Sequence, residues 1–415
     1  MDTYFAVTAP GIESITALEL SRLGLLPAES LPAVKPASSS PAESLVTPHA
    51  SLESLHFKGG LDALYRANLH LRTASRILVR LGMPFMARSF PELVEKASRL
   101  PWERFLTPGQ PIALRVTCHK SKLYHSEAVA ERLLTALEAR LGKPSVRVRS
   151  ATTDETDDSP LPMGEGMGEA PRSGVRENPP QLILARLADD KCTVSVDSSG
   201  ALLHRRGYRL ATVKAPLRET LAAALLLASG WDAQSPLIDP FCGSGTIPIE
   251  AALLALNLPP GQNRRFAFMD WPGFDEKLWR EIRSNVQHST LNVPPILASD
   301  RDAGAVRLAQ ENAHRAGVNH LIQFEVQAVS AMYPPARKGW VVTNPPYGVR
   351  VSEGKDLRNL YAQFGNVLRA KFPGWRVAVL SSDEFLLGHT GLKLDISLAF
   401  NNGGLRVKLG RGLVS

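Results

Sequence analysis

The sequence predicts an α/β protein whose carboxy-terminal half is a doubly wound, largely parallel sheet. Three observations carry that expectation. Short apolar runs ending at Asp239, at Ser299-Asp300 and at Thr343-Asn344 each deliver a polar residue at the carboxyl end of a strand. Open α/β sheets bind their ligands at that edge. The first run, Leu237-Ile238-Asp239, leads into the Gly-rich turn Pro240-Phe241-Cys242-Gly243-Ser244-Gly245-Thr246 and then a helix starting near Ile247. Finally, a chain of 415 residues with 44% apolar content is long enough to build more than one core.

The other elements follow in chain order. Pro27 to Ser54 is rich in Pro, Ser and Ala and reads as a loop extending the first domain. Residues 58–149 hold 17 Lys/Arg against 7 Asp/Glu, a basic excess of the sign that phosphate contacts require. Residues 151–180 reverse it, with 2 against 7, and their Gly/Pro-rich, aperiodic composition predicts disorder. That segment interrupts a domain, because Leu182–Leu187 and Thr193–Val196 read as a returning hairpin. Residues 201–415 hold 25 Lys/Arg against 17 Asp/Glu. Leu221–Ala228 is too short to span a membrane and reads as a packed helix. Phe266–Trp279 is an insertion between the first two strands, expected to cap that strand edge, with an RNA-contacting wall as the alternative.

The third strand, Gly339–Thr343, delivers Asn344-Pro345-Pro346-Tyr347. The amino group of a nucleobase is a poor nucleophile because its lone pair is delocalised into the ring. An amide oxygen from Asn344 and the carbonyl of Pro345 can each accept one amine N–H, favouring a more tetrahedral nitrogen in the transition state. Proline fixes φ and lacks an N–H, so the pair makes a stiff turn with its carbonyls free to accept. The Tyr347 ring is suited to stack on an extruded base. Upstream, the Gly-rich turn lacks the third glycine of a dinucleotide fingerprint and the Gly-Lys-Ser/Thr of a P-loop. Asp300 suits a pair of ribose hydroxyls, but it lies 61 residues after Asp239, far beyond the roughly 20 of a dinucleotide fold.

With these residues in view, the chain resembles the class I S-adenosylmethionine-dependent RNA methyltransferases that carry a THUMP domain, nearest the amino-terminal half of the fused bacterial 23S ribosomal RNA guanine-N2 enzymes. Tyr4–Glu13 is similar to the family's ferredoxin-like start, and Tyr65–Leu69 with Arg72–Arg76 to the entry into its THUMP domain. Ser121–Ser126 matches a THUMP signature; His204–Arg209 and Ala215–Thr220 resemble the lead-in to the catalytic domain. The resemblance implies a ferredoxin-like domain over 1–57, a THUMP region over 58–200 containing the 151–180 insertion, and a Rossmann-like methyltransferase over 201–415. It implies that Asp239, Phe241, Gly243 and Gly245 surround the methyl donor S-adenosylmethionine, and that Asp300 binds its ribose. Asn344, Pro345, Pro346 and Tyr347 would hold the target amine. Arg115, Lys120 and Lys122 around the THUMP signature, with Arg205 and Arg206, are the candidate contacts to structured RNA, 23S ribosomal RNA or its precursor. Two positions depart from the family pattern. Ala328 stands where an acid usually meets the adenine amine, a contact that Gln327 or a backbone group would have to replace. Gly348-Val349-Arg350 stands where Gly-Glu-Arg is common.

Other chemistries are disfavoured. Cys118, Cys192 and Cys242 are far apart with no metal-ligand spacing, and the ten histidines include no zinc-protease pair, so no metal is expected. A cytoplasmic setting follows from the cysteine usage and the lack of a signal pattern. Cys242 reads as a small packed residue facing the donor rather than a nucleophile. Three alternatives stay open: a guanine-N2 methylase of transfer RNA, a DNA adenine-N6 methylase with the same tetrapeptide, and a catalytically weak RNA-binding protein.

Overall fold

The computed structural model describes residues 1–26, 55–142, 146–148, 180–209, 217–286, 293–347, 357–402 and 404–415. The Pro27–Ser54 loop, the 151–180 insertion apart from its last residue, Ala215-Pro216 and Gly348-Val349-Arg350 lie outside the described residues. The chain forms two compact units. One gathers residues 1–5, 76–201 and 265–276; the other gathers 6–75, 202–264 and 277–415.

The amino-terminal elements are β1 (Asp2–Thr8), α1 (Glu13–Arg22), β2 (His56–Gly59), α2 (Leu61–His70) and β3 (Ala74–Arg80). They are followed by β4 (Phe85–Met86), α3 (Phe90–Ser98), β5 (Ile112–His119), α4 (Ser126–Leu141), β6 (Val146–Val148), β7 (Gln181–Ala188) and β8 (Lys191–Asp197). In the first unit β3, β8, β7, β5 and β6 lie side by side in that order. The hairpin expected from the sequence is β7–β8, turning through Asp189 and Asp190 at φ 51 and 62. Two left-handed residues give a turn whose twist matches the flanking strands.

The insertion aromatics are not where the sequence suggested. Phe266, Phe268 and Trp271 are buried in the first unit, where the Trp271 indole N–H donates to Gln181 Oε1 at 2.8 Å and the ring meets Phe105 edge-on. Trp279 is buried in the second unit against Tyr65. They form neither a wall for RNA nor one cap, because burying large rings against cores removes far more apolar area from water than a surface cap would.

The second unit continues with α5 (Glu219–Ser229), β9 (Leu237–Asp239), α6 (Thr246–Ala255), α7 (Glu276–Ser284), β10 (Ile296–Asp300), α8 (Ala303–Arg315) and β11 (Ile322–Val326). Then come β12 (Trp340–Thr343), α9 (Arg358–Lys371), β13 (Arg376–Ser381), α10 (Glu384–His389), β14 (Asp395–Asn402) and β15 (Leu405–Leu413). The seven strands run β11-β10-β9-β12-β13-β15-β14. The first five are mutually parallel, and β15 and β14 close the sheet antiparallel. This is the Rossmann-like arrangement expected. Leu221–Ala228 is the buried body of α5, with Leu221, Leu225 and Leu226 at most 1% exposed. Among the described residues no helix is long and apolar enough to cross a membrane.

Candidate active site

Because β9 lies between β10 and β12, the three predicted strand ends fall side by side: Asp300, Asp239, Asn344. The turn after β9 is laced to its neighbours. Phe241 N–H donates to Asp239 Oδ1 at 3.2 Å, Cys242 N–H to the Ser299 carbonyl at 3.0 Å, and Gly243 N–H to Asp300 Oδ2 at 3.1 Å. The other Asp300 oxygen accepts the Asp302 N–H at 3.0 Å. Gly245 sits at φ +83, and a Cβ there would stand 2.9 Å from that of Ala309, so glycine lets α8 pack against the turn. At Gly243, φ +51, a Cβ would meet nothing within 4 Å; that face of the turn is open to a ligand.

Asp239 is 1% exposed, and its Oδ1 also accepts the Thr343 hydroxyl at 2.6 Å. Its Oδ2 is buried without a hydrogen-bond partner among the described residues. Burial pushes the carboxyl up to about 7; hydrogen bonds from Thr343 and Phe241 oppose that, and nearby Asp300 adds to it. A buried, unpartnered carboxylate oxygen beside an open glycine face fits a cationic ligand, which would restore the ionised form. The Cys242 thiol is pushed well up, by burial first and then by Asp239 and Asp300, so it has no thiolate to offer as a nucleophile.

Asn344 follows β12 with its Oδ1 buried and no donor on it among the described residues. The proline carbonyls are not both free, as the sequence suggested: the Tyr361 hydroxyl on α9 donates to the Pro346 carbonyl at 3.3 Å. Tyr347 is 9% exposed and its hydroxyl accepts from Asn402 Nδ2 at 3.2 Å. Ala328 is exposed at the start of a short 3-10 turn. Beside it, the Gln327 backbone N–H donates to the Asp300 carbonyl and its side-chain amide to Glu325 Oε2.

Sequence reasoning missed four residues. Thr343 holds Asp239; Asn312 on α8 donates to the Ser244 carbonyl at 3.0 Å; Arg209 donates to the Thr246 hydroxyl; and Asn402 holds Tyr347. Thr343, adjacent to Asn344, and Arg209, the last residue of the His204–Arg209 motif, carried a local signal; Asn312 and Asn402 carried none.

The basic candidates separate. Lys120 and Lys122 are exposed in the turn after β5, where the Lys122 backbone N–H donates to Asp190 Oδ1 at 2.7 Å. Arg115 is half-buried in mid-strand, and Arg205 is exposed. Arg206 is a correction. It is 5% exposed, donates to the carbonyls of Leu203 at 2.8 Å and Arg72 at 2.7 Å, and lies 3.5 Å from Glu250 Oε1. A guanidinium so committed offers no surface to a phosphate.

Three known families match stretches of this chain. The family described as RMKL-like methyltransferase domain matches residues 206–397, the RlmL ferredoxin-like domain residues 49–78, and the THUMP domain residues 87–153. Over 407 residues the chain is 34% identical to slr0064 of Synechocystis sp., a candidate RNA methyltransferase by name, covering 97% of this chain and 94% of that one. The chain belongs to the THUMP-domain RNA methyltransferases. This methyltransferase is also 33% identical to the ribosomal RNA large subunit methyltransferase K/L of Methylococcus capsulatus over 98% of its own length. It spans about half of that relative, 50%. Among solved structures, SMU.472, a candidate methyltransferase complexed with SAH, superposes with a TM-score of 0.76 at 28% identity, over 99% of this chain and 97% of that one. S-adenosylmethionine is the methyl donor of this methyltransferase.

Proposed function

We propose that this methyltransferase methylates the exocyclic N2 amine of a guanine in 23S ribosomal RNA or its precursor, in the cytoplasm. One observation carries the reading: Asn344 Oδ1 is a buried acceptor lacking a donor among the described residues, one strand away from the donor turn. A buried acceptor left unmade costs about 1–3 kcal/mol, which an amine placed against it removes. The large-subunit ribosomal RNA named for the K/L relatives supports the substrate, as do the THUMP match and the exposed Lys120, Lys122 and Arg205.

S-adenosylmethionine supplies, when bound, a methyl group already activated on a cationic sulfur. The chain's own part is alignment and polarisation. Asp239, Phe241, Gly243 and Gly245 hold the donor, and Asp300, whose oxygens keep lone pairs beyond the two backbone N–H groups, accepts from its ribose. Asn344 Oδ1 takes one amine N–H and the Pro345 carbonyl the other; Pro346 keeps the turn stiff, with its own carbonyl held by Tyr361. Tyr347 presents its ring to the base. The amine proton leaves to water after transfer. In this division residues 58–200 bind RNA, with Arg205 adding a contact, and 201–415 perform transfer.

The test incubates purified protein and radiolabelled donor with 23S ribosomal RNA, transfer RNA and duplex DNA, then digests each to nucleosides. N2-methylguanosine from 23S ribosomal RNA is the expected product. The same nucleoside from transfer RNA alone would reassign the substrate, and N6-methyladenine in DNA or no transfer at all would refute the reading.

A further inference from the structure

The tip of the β14–β15 hairpin reaches the catalytic edge of the sheet. β15 runs antiparallel to β13, with Ser381, the last residue of β13, opposite Lys408. The start of β15 therefore lies where β13 ends, beside the carboxyl end of β12. Asn402, the last residue of β14, pairs with Leu405 across the turn. Its Nδ2 spans 55 residues of chain to donate to the Tyr347 hydroxyl at 3.2 Å. One residue before Tyr347, the Tyr361 hydroxyl donates to the Pro346 carbonyl at 3.3 Å, so the backbone leading into the ring is held as well as its hydroxyl.

The hairpin is itself clamped from the amino terminus. β14 is an edge strand, and such an edge carries unpaired backbone groups that need covering. The Pro10 carbonyl accepts the Asn401 N–H at 3.1 Å, one residue before Asn402. Gly11, at φ +98, lies so close that a Cβ would fall 2.2 Å from the Ala399 carbonyl oxygen and 2.8 Å from Phe400 Cα. Ile12 and Phe400 then share one core, at 0% and 2% exposure. No residue but glycine allows that approach.

We propose that Asn402 is a positioning residue for Tyr347, held in place by the Pro10-Gly11 turn against β14. Asn402 touches no substrate in this role. It fixes the tilt of a ring that stacks on the target base, so it rests on the reading of Tyr347 given above. A neutral side-chain hydrogen bond contributes about 0.5–1.5 kcal/mol, so its loss lowers the single-turnover rate roughly 2- to 13-fold.

A double-mutant cycle tests it, read as total methyl transferred to 23S ribosomal RNA in one turnover. Asn402→Ala slows transfer by that factor while the RNA KM and donor affinity stay at wild-type values and the melting temperature falls by no more than a few degrees. In a Tyr347→Phe background, where no hydroxyl remains to hold, Asn402→Ala costs nothing further. Additive losses in the double variant, or an unchanged rate for Asn402→Ala alone, would overturn the proposal. If Asn402→Ala does not purify folded, Asn402→Ser, too short to span the bond, takes its place with the same expectations. Nucleoside analysis of the same reactions separates the two claims. An acceptor other than guanine N2 overturns the proposed function and leaves the cycle readable. Additivity with N2-methylguanosine intact overturns only the role of Asn402.

Discussion

Asp239 should make both the stability of this methyltransferase and its grip on the donor depend on pH. The carboxyl is held near 7 by burial, against an ordinary value of 3.8, with Asp300 adding to the shift and the Thr343 and Phe241 hydrogen bonds opposing it. In the folded protein it keeps a proton that the unfolded chain has already released. Its contribution to stability is therefore full below pH 3.8 and is lost as pH rises through about 7. Integrated from pH 5 to pH 8, the loss is about 2–3 kcal/mol. Urea unfolding of wild type and Asp239→Asn at pH 5, 6, 7 and 8 isolates the effect, because every other titrating group is common to both. The wild type should lose that amount relative to the Asn variant. Binding of the cationic donor should draw the carboxyl back to its ionised form, so donor affinity should rise up to about tenfold per unit as pH climbs toward 7, then level off. Calorimetry in two buffers of different ionisation enthalpy should register up to one proton released per donor at pH 6. The Cys242 thiol, which also faces this carboxyl, stays neutral across the range because burial, Asp239 and Asp300 all push it up. Parallel stability curves for wild type and Asp239→Asn, with no proton released on binding, would refute the reasoning.

Further outcomes are expected. Asn344→Ala should lower single-turnover transfer about 100- to 1,000-fold with donor affinity unchanged, since it deletes a preorganised acceptor at the transition state; half of wild-type turnover would exclude the role. Charge reversal of Lys120 and Lys122 should weaken RNA binding and reduce the log–log salt slope by somewhat under one unit for each phosphate no longer neutralised, measured by filter binding over a salt series. Arg206→Ala should instead lower the free energy of unfolding in urea by about 3–5 kcal/mol, the cost of a broken buried pair, with the salt slope unmoved. Ala328→Asp should tighten donor binding by calorimetry about tenfold or more, the value of a hydrogen bond to a charged group, if the adenine amine lies where the family's acid would meet it.

Legibility in the sequence followed chain distance. The strand ends at Asp239, Asp300 and Asn344 could be read because each is set by a few neighbouring residues, an apolar run and then a turn, and parallel pairing brings such ends together without further instruction. The Gly-rich turn was legible for the same reason. Asn402 and Asn312 were not, because each acts across 55 and 68 residues on a backbone or hydroxyl group that no local pattern marks. Arg206 was misread through its neighbour. In an Arg-Arg pair outside regular structure one side chain can face water and the next the core, and here Arg205 is exposed while Arg206 is 5% exposed beside Glu250.

That inversion changes how the charge arithmetic supports RNA binding. Arg206 with Glu250, and Arg209 with Glu219, are ion pairs of buried or nearly buried side chains, each neutral as a pair. Removing them from the 25 Lys/Arg and 17 Asp/Glu of residues 201–415 leaves the basic excess unchanged. The excess is the same; what changes is the set of candidates that carries it, which loses the buried Arg206 and keeps the exposed Arg205. A segment's net charge therefore survives burial of paired residues, whereas the identity of its phosphate contacts does not, and only exposed lysines and arginines should alter the salt slope when reversed.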